Sequence, residues 1–263
     1  MPQTVNRRKK CAVCGELNLQ PSVREAKRHG SPDLDTRPPA DVRFCIDTLV
    51  QRCPSCGYCF YNIGKLAPGA AETVKSDAYQ KQLKNPDFHT LANNFLCWSL
   101  IELQAGNFSG AGWACIHAAW ICDDAADFNR LYGNISKSQV GTRDEADAAK
   151  LCRLKAIGLL KLARDEGQVF GAHPGSEEAL MSDLLRRMGR FESAKKMVQC
   201  GHQVKAAGVV ETVLQYEKEL AQKGDVDVHT MAEAIKWKGE QTGPAEQRDS
   251  APPQGNEPPD SSS

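Results

Sequence analysis

Two cysteine pairs carry the most specific chemistry in this chain. Cys11 and Cys14 lie in "CAVCG", and Cys53 and Cys56 lie in "CPSCG". A Cys-x-x-Cys-Gly turn places two thiolates on one side of a tight loop and aims backbone N–H groups at the sulfurs. The glycine after the second cysteine allows the left-handed backbone that such a turn needs. Two turns supply four thiolates, the closed tetrahedral set of a structural zinc site. Cys11, Cys14, Cys53 and Cys56 are therefore the expected metal ligands. A single iron would use the same two turns, so zinc is the first expectation and iron the alternative.

The pairs are separated by 38 residues (15–52), more than the roughly 15–20 of a compact ribbon. Loop closure grows only logarithmically in cost, about 0.6 kcal/mol per doubling, so the long insert is tolerable. Two further cysteines fall nearby. An extended Cys45 would sit roughly 26 Å from Cys53 at about 3.3 Å per residue, too far to join the site. Cys59 completes a Cys-x-x-Cys-x-x-Cys run with Cys53 and Cys56. That spacing belongs to iron–sulfur ligation, but no fourth Cys-Pro follows it. Cys59 stands as an alternative ligand.

The insert contains "SPDLDTRPP". In an extended segment Asp33, Asp35 and Arg37 share a face, which would make either a small polar site or an internal Asp–Arg bridge that pins a loop. The bridge is the favoured reading. Trp98, Trp113 and Trp120 could form a stacking box, but are read as core. The acids of "CDDAAD" (Asp123, Asp124, Asp127, beside Cys122) could bind a cation, but are read as a solvated helix end with a capping Asp. The six histidines are scattered, and there is no phosphate loop, nucleophile elbow or His-Glu-x-x-His. The absence of these motifs leans against an enzyme; an enzymatic reading would need a polar pocket around Asp33, Asp35 and Arg37.

The elements that must position these residues divide the chain. "DVRFCIDTLVQRC" alternates, with Val42, Phe44, Ile46 and Val50 on one parity, and reads as a half-buried strand entering the second pair. From residue 70 onward the pattern is helical. A helix over "AAETVKSDAYQKQL" ends before Asn85-Pro86. Leu91, Phe95, Trp98 and Ile101 form a helical stripe. Thr142 with Glu145 makes a capping-box pattern for a helix that closes at Gly167, and Ser176 reads as the next N-cap. Further helices are expected near 191–222 and 226–238. "AGNFSGAGWACIHAA" and "MGRFESAKKMVQCG" share the spacing Gly-x-aromatic-x-x-Ala-x-x-x-apolar-x-x-small, the turn and second helix of a tetratricopeptide repeat. Residues 240–263 are rich in Pro, Ser and Gly and cannot bury enough surface to order themselves.

The 263 residues carry no net charge, which argues against a global bias toward nucleic acid or acidic membranes. The N-terminus is locally basic through Arg7, Arg8, Lys9 and Lys10. No apolar stretch follows it, so no leader peptide is expected. No run reaches the roughly 18 apolar residues of a membrane span. Eleven cysteines in such a chain point to metal and thiols in a reducing compartment, the cytoplasm, rather than to disulfides.

The order "CAVCG", "GSPDLDTRPP", "CPSCGY", "LANNFLCWSLIELQAGNF", "HAAWICDDA" resembles the bacterial proteins grouped as domain of unknown function 2225, over roughly residues 8–135. The resemblance implies a zinc-ribbon or rubredoxin-like site leading into tetratricopeptide-like helices, with Cys11, Cys14, Cys53 and Cys56 as ligands. Cys59 departs from that pattern.

The expected architecture is mainly α. A small β-rich zinc-ribbon-like module spans 8–66, an α-helical repeat-like domain spans 70–239, and a disordered tail covers 240–263. The expected role is a non-catalytic zinc protein whose helices bind a protein partner. The alternatives are a rubredoxin-like electron carrier and a nucleic-acid-binding ribbon that uses the basic N-terminus.

Overall fold

The computed structural model describes residues 3–25, 29–132 and 142–242; most of the expected tail lies outside them. The fold is mainly helical with a small β module at the N-terminal end. β1 (Gln3–Lys10) and β2 (Leu17–Glu25) form an antiparallel hairpin with Lys10 opposite Leu17 and Arg8 opposite Leu19. β3 (Gln51–Arg52) and β4 (Cys59–Phe60) form a second, much shorter one. Each hairpin carries one cysteine pair in its turn.

The expected strand over 41–53 is corrected. α1 (Ala40–Arg43) and a 3-10 turn at Ile46–Thr48 occupy most of it, and only Gln51–Arg52 is extended. Val42, Ile46 and Leu49 recur at helical spacing as well as partly at strand spacing, and Pro39 supplies a helix start. Phe44, assigned to the buried parity, is 85% exposed.

The helices follow the expected order with local corrections. Residues 70–83 form two helices, α2 (Ala70–Lys75) and α3 (Asp77–Leu83), because Ser76 is extended and its hydroxyl caps α3 by accepting from the Tyr79 N–H. α4 (Thr90–Gln104) and α5 (Phe108–Tyr132) form a helical hairpin against which α6 (Glu145–Asp165) packs. Asp144, not Thr142, caps α6; the Thr142 hydroxyl donates to Asp87 instead. Gly175 precedes α7 (Ser176–Arg187), so Ser176 is the first helical residue rather than the cap. α8 (Phe191–Gln203), α9 (Gly208–Lys223) and α10 (Met231–Thr242) complete the order.

The shared pattern of the two glycine turns has a structural counterpart. Gly106 and Gly189 stand in the α4–α5 and α7–α8 turns with φ of 75° and 73°. Phe108 and Phe191 start the second helix of each hairpin. The Ser99 hydroxyl donates to the Ala111 carbonyl at 2.9 Å, and the Ser182 hydroxyl donates to the Ala194 carbonyl at 3.3 Å. Each serine lies seven residues before its glycine, so the match extends one position further than the sequence pattern indicates.

One apolar cluster runs from Cys11, Cys53, Tyr58 and Phe60 through α4–α6 to Leu184. The cysteine module and the helices thus share a core. A second cluster unites α7–α10 and is completed by Leu34 from the insert, which is 2% exposed. Backbone pairing fixes that insertion: the Leu34 N–H donates to the His229 carbonyl, and the Met231 N–H to the Pro32 carbonyl, both at 2.9 Å. Among the described residues no helix is long and apolar enough to cross a membrane.

Candidate metal centre

The two cysteine turns are built alike. The Cys11 N–H donates to the Glu16 carbonyl at 2.8 Å, and the Cys53 N–H to the Tyr58 carbonyl at 2.9 Å. The Gly15 N–H returns to the Cys11 carbonyl and the Gly57 N–H to the Cys53 carbonyl, both at 2.9 Å. Both glycines have a φ of 78°, a backbone closed to most side chains.

Facing turns bring four sulfurs together. Cys11 Sγ lies 3.7 Å from Cys56 Sγ, and Cys14 Sγ lies 3.6 Å from Cys53 Sγ. All four sulfurs fall within 4.8 Å of one another. A metal–sulfur bond of about 2.3 Å implies a tetrahedron edge of about 3.8 Å, so the quartet has the size of a four-thiolate site. A disulfide would need about 2.05 Å, and all eleven cysteines are free thiols. The four residues can therefore hold a metal ion. Zinc and iron share this ligand geometry, and the spacing does not separate them.

The electrostatics suit thiolates unevenly. Burial pushes the Cys11 thiol up, against the pull of the Cys14 and Val13 N–H groups. Burial also raises Cys53, but the N–H groups of Cys56 and Ser55 and the Cys14 thiol outweigh it and hold Cys53 below the usual range. Burial raises Cys56, and the neighbouring sulfurs add to that. Four thiolates this close repel one another, and a cation at their centre would remove the repulsion. Cys11 and Cys53 are buried, whereas Cys14 is exposed.

Surrounding elements hold the turns in register. Tyr79, on α3, is fully buried and clamps the second turn: its hydroxyl accepts from the Cys59 N–H and donates to the Gly57 carbonyl, both at 2.9 Å. The Ala12 N–H donates to the Ile63 carbonyl at 2.7 Å and ties the first turn to the segment after β4. On β2, the Asn18 amide reaches Cys53 Sγ at 3.9 Å, and the Gln20 amide donates to the Arg52 carbonyl at 2.8 Å. Nothing in the sequence singled out Tyr79, because its role depends on a contact across 20 residues.

Cys59 lies outside the quartet. Its Sγ is 3.3 Å from the Gly57 carbonyl and 3.8 Å from Asn94 Oδ1, and it contacts Cys97 of α4. Cys45 is buried elsewhere, in the wall of a cavity.

Asp33, Asp35 and Arg37 are all buried, but their side chains go to different partners. The segment is not extended: Thr36 has a φ of 69°, and the Asp33 N–H donates to the Arg37 carbonyl at 2.9 Å across a turn. Asp33 pairs with Arg43 at 2.5 Å. Asp35 accepts from the Trp120 indole at 2.7 Å and from the Arg37 N–H at 3.1 Å. Arg37 pairs with Asp124 of α5. Burial pushes the Asp33 carboxyl up to about 6 against the pull of Arg43. Burial also raises Asp35, with the Asp183 charge adding to it.

The expected solvated end at "CDDAAD" is corrected in part: Asp127 is exposed and Asp124 half-buried, but the helix does not end there and Asp123 is not solvated. α5 continues past it, and Asp123 is buried between Arg153 of α6 and Arg187 of α7. Deeper still, Arg186 is fully buried with Asp183 at 2.6 Å and Glu217 at 3.1 Å. The available signal was a charged residue inside an apolar stripe, such as Arg153 among Cys152, Ala156 and Ile157. Trp120 is core as expected, and Trp98 and Trp113 are half-buried around His117. Burial holds His117 down to about 4.

No protein-family model, curated protein or solved structure matches this chain.

Proposed function

We propose that Cys11, Cys14, Cys53 and Cys56 hold one structural zinc ion, and that the chain is a non-catalytic scaffold whose helical part engages a protein partner. The observation that carries the metal assignment is the pair of alike cysteine turns, with sulfurs facing at 3.6 and 3.7 Å. The first hairpin is mostly exposed along β1 and the second has only two residues in each strand, so neither buries much on its own, and a metal would close them against the helices. Eleven free thiols suit a reducing compartment such as the cytoplasm.

The partner surface we favour is the apolar groove between α4 and α6, a cavity of about 340 Å³. Leu103, Leu154 and Leu162 are exposed along it, and an added Cβ at Gly158 would meet only open space. Leucines four residues either side of that glycine leave a shallow seat for one face of an amphipathic helix of the partner. The resemblance to domain of unknown function 2225 points to the same arrangement of a ribbon followed by helices.

The test has two arms. Cys53→Ser should lose the bound metal, and equal metal content in variant and parent would refute the ligand set. Leu154→Glu with Leu162→Glu should abolish capture of a partner recovered with the parent chain while leaving metal content unchanged. Retained capture would move the interaction surface elsewhere. A red, iron-containing protein would replace the zinc reading with electron transfer.

A further inference from the structure

The β1–β2 hairpin is a ribbon with its charges left open. Along β1, Arg7, Arg8 and Lys10 are exposed and Lys9 is half-buried. Arg24 is exposed at the other end of the ribbon, on β2. Residues 3–24 carry these five cations against one acid, Glu16. None of the five is in an ion pair among the described residues. The helical part differs: every arginine from Arg143 to Arg187 pairs with a carboxylate. Arg7 stands four residues from Cys11, roughly 13 Å along an extended strand and beyond a Debye length of about 8 Å. The thiolates therefore do not account for it.

The register sorts these cations by face. Arg8 lies opposite Leu19 and Lys10 opposite Leu17, on one face of the ribbon. Arg7 lies opposite Gln20 and Lys9 opposite Asn18, on the other. A flat anionic surface would reach only one of these sets. A groove with anionic walls on both sides reaches both. The major groove of B-form DNA is about 12 Å wide, admits a two-stranded ribbon, and is walled by phosphates, onto which guanidinium groups fork. The corresponding groove of double-stranded RNA is too narrow for side chains. Single strands are held by stacking their bases on aromatic rings, and neither β1 nor β2 carries one.

We propose that the β1–β2 ribbon binds double-stranded DNA in its major groove, with Arg7 and Lys9 toward one phosphate wall and Arg8 and Lys10 toward the other. Leu17 and Leu19 are exposed on the Arg8 face and have no hydrogen-bonding side-chain atoms, so they meet only base edges such as thymine methyl groups. Binding is therefore carried by phosphate contacts and is steeply dependent on salt. This goes beyond the scaffold reading and uses neither the α4–α6 groove nor the identity of the metal.

The full chain, as purified, is titrated into a fluorescein-labelled DNA duplex of about 20 base pairs and followed by anisotropy. Four phosphate contacts imply a slope of about −3.6 in log affinity against log salt, or about 150-fold weaker binding at 200 mM than at 50 mM. Arg7→Gln with Arg8→Gln removes one contact from each wall. It should weaken binding at about 50 mM salt at least tenfold and reduce the slope to about −1.8. Lys161→Gln with Lys196→Gln, at exposed positions on α6 and α8, should change neither. Metal content and far-UV circular dichroism report whether each variant is folded. Unlabelled duplex should compete at least tenfold better than the single strand or polyglutamate at equal charge. No binding of the duplex, equal competition by the single strand or by polyglutamate, or an unchanged salt slope in a folded Arg7→Gln, Arg8→Gln chain would overturn the proposal.

Discussion

Gly15 and Gly57 occupy matching positions with the same φ of 78°, yet their surroundings differ. A Cβ at Gly15 would meet only Lys10 Cε at 3.9 Å, an ordinary contact. A Cβ at Gly57 would lie 2.5 Å from Leu83 Cδ2, closer than carbon atoms tolerate. Alanine at either site incurs the left-handed backbone cost of about 1–2 kcal/mol. At Gly57 overpacking against α3 adds about 1–3 kcal/mol. Gly15→Ala should therefore cost about 1–2 kcal/mol, and Gly57→Ala about 2–5 kcal/mol. Denaturant unfolding of the metal-loaded chain measures both, and each kcal/mol corresponds to roughly 2–4 °C in melting temperature for a chain of this size. The excess at Gly57 comes from Leu83, so Gly57→Ala should cost about 1–3 kcal/mol less in a Leu83→Ala background. Equal costs at the two glycines, or no coupling to Leu83, would refute the packing of the second cysteine turn on α3.

Three further outcomes follow from the same contacts. Tyr79→Phe removes the hydroxyl shared by the Cys59 N–H and the Gly57 carbonyl, and should destabilise the metal-loaded chain by about 1–3 kcal/mol in urea unfolding. Ser99→Ala and Ser182→Ala break equivalent bonds in two hairpins and should each cost about 0.5–1.5 kcal/mol; a large effect at one and none at the other would argue against their equivalence. Asp33 has a folded pKa of about 6 against an ordinary 3.8, so the folded chain retains a proton that the unfolded chain has released. Its contribution to stability is present below about pH 4 and is lost as pH rises through 6. Asp33→Asn should remove that downward slope between pH 4 and 6, measured as the difference between parent and variant unfolding curves.

The cysteine turns were legible because their chemistry is local: four residues and a glycine specify each one. The helical register after residue 70 was legible from apolar spacing, and the two glycine turns from a shared pattern that the structure extends to Ser99 and Ser182. The insert was misread because Val42, Ile46 and Leu49 satisfy helical spacing while Val42, Phe44 and Ile46 satisfy strand spacing, and a segment of this length cannot decide between them. Caps at Asp144 and Gly175 were each displaced from the expected residue, since several neighbouring polar residues or glycines could serve. The partners of the buried charges were invisible for a different reason. Arg153 and Asp123 are 30 residues apart, Arg186 and Glu217 are 31 apart, and only tertiary packing brings them together.

The most direct test of the central claim is metal stoichiometry by mass spectrometry on the freshly purified full chain, with a visible absorption spectrum of the same sample. One zinc per chain, no colour, and loss of that zinc in Cys53→Ser is the predicted result. A chain with no stoichiometric metal, or with iron and visible charge-transfer bands, would contradict a structural zinc held by Cys11, Cys14, Cys53 and Cys56.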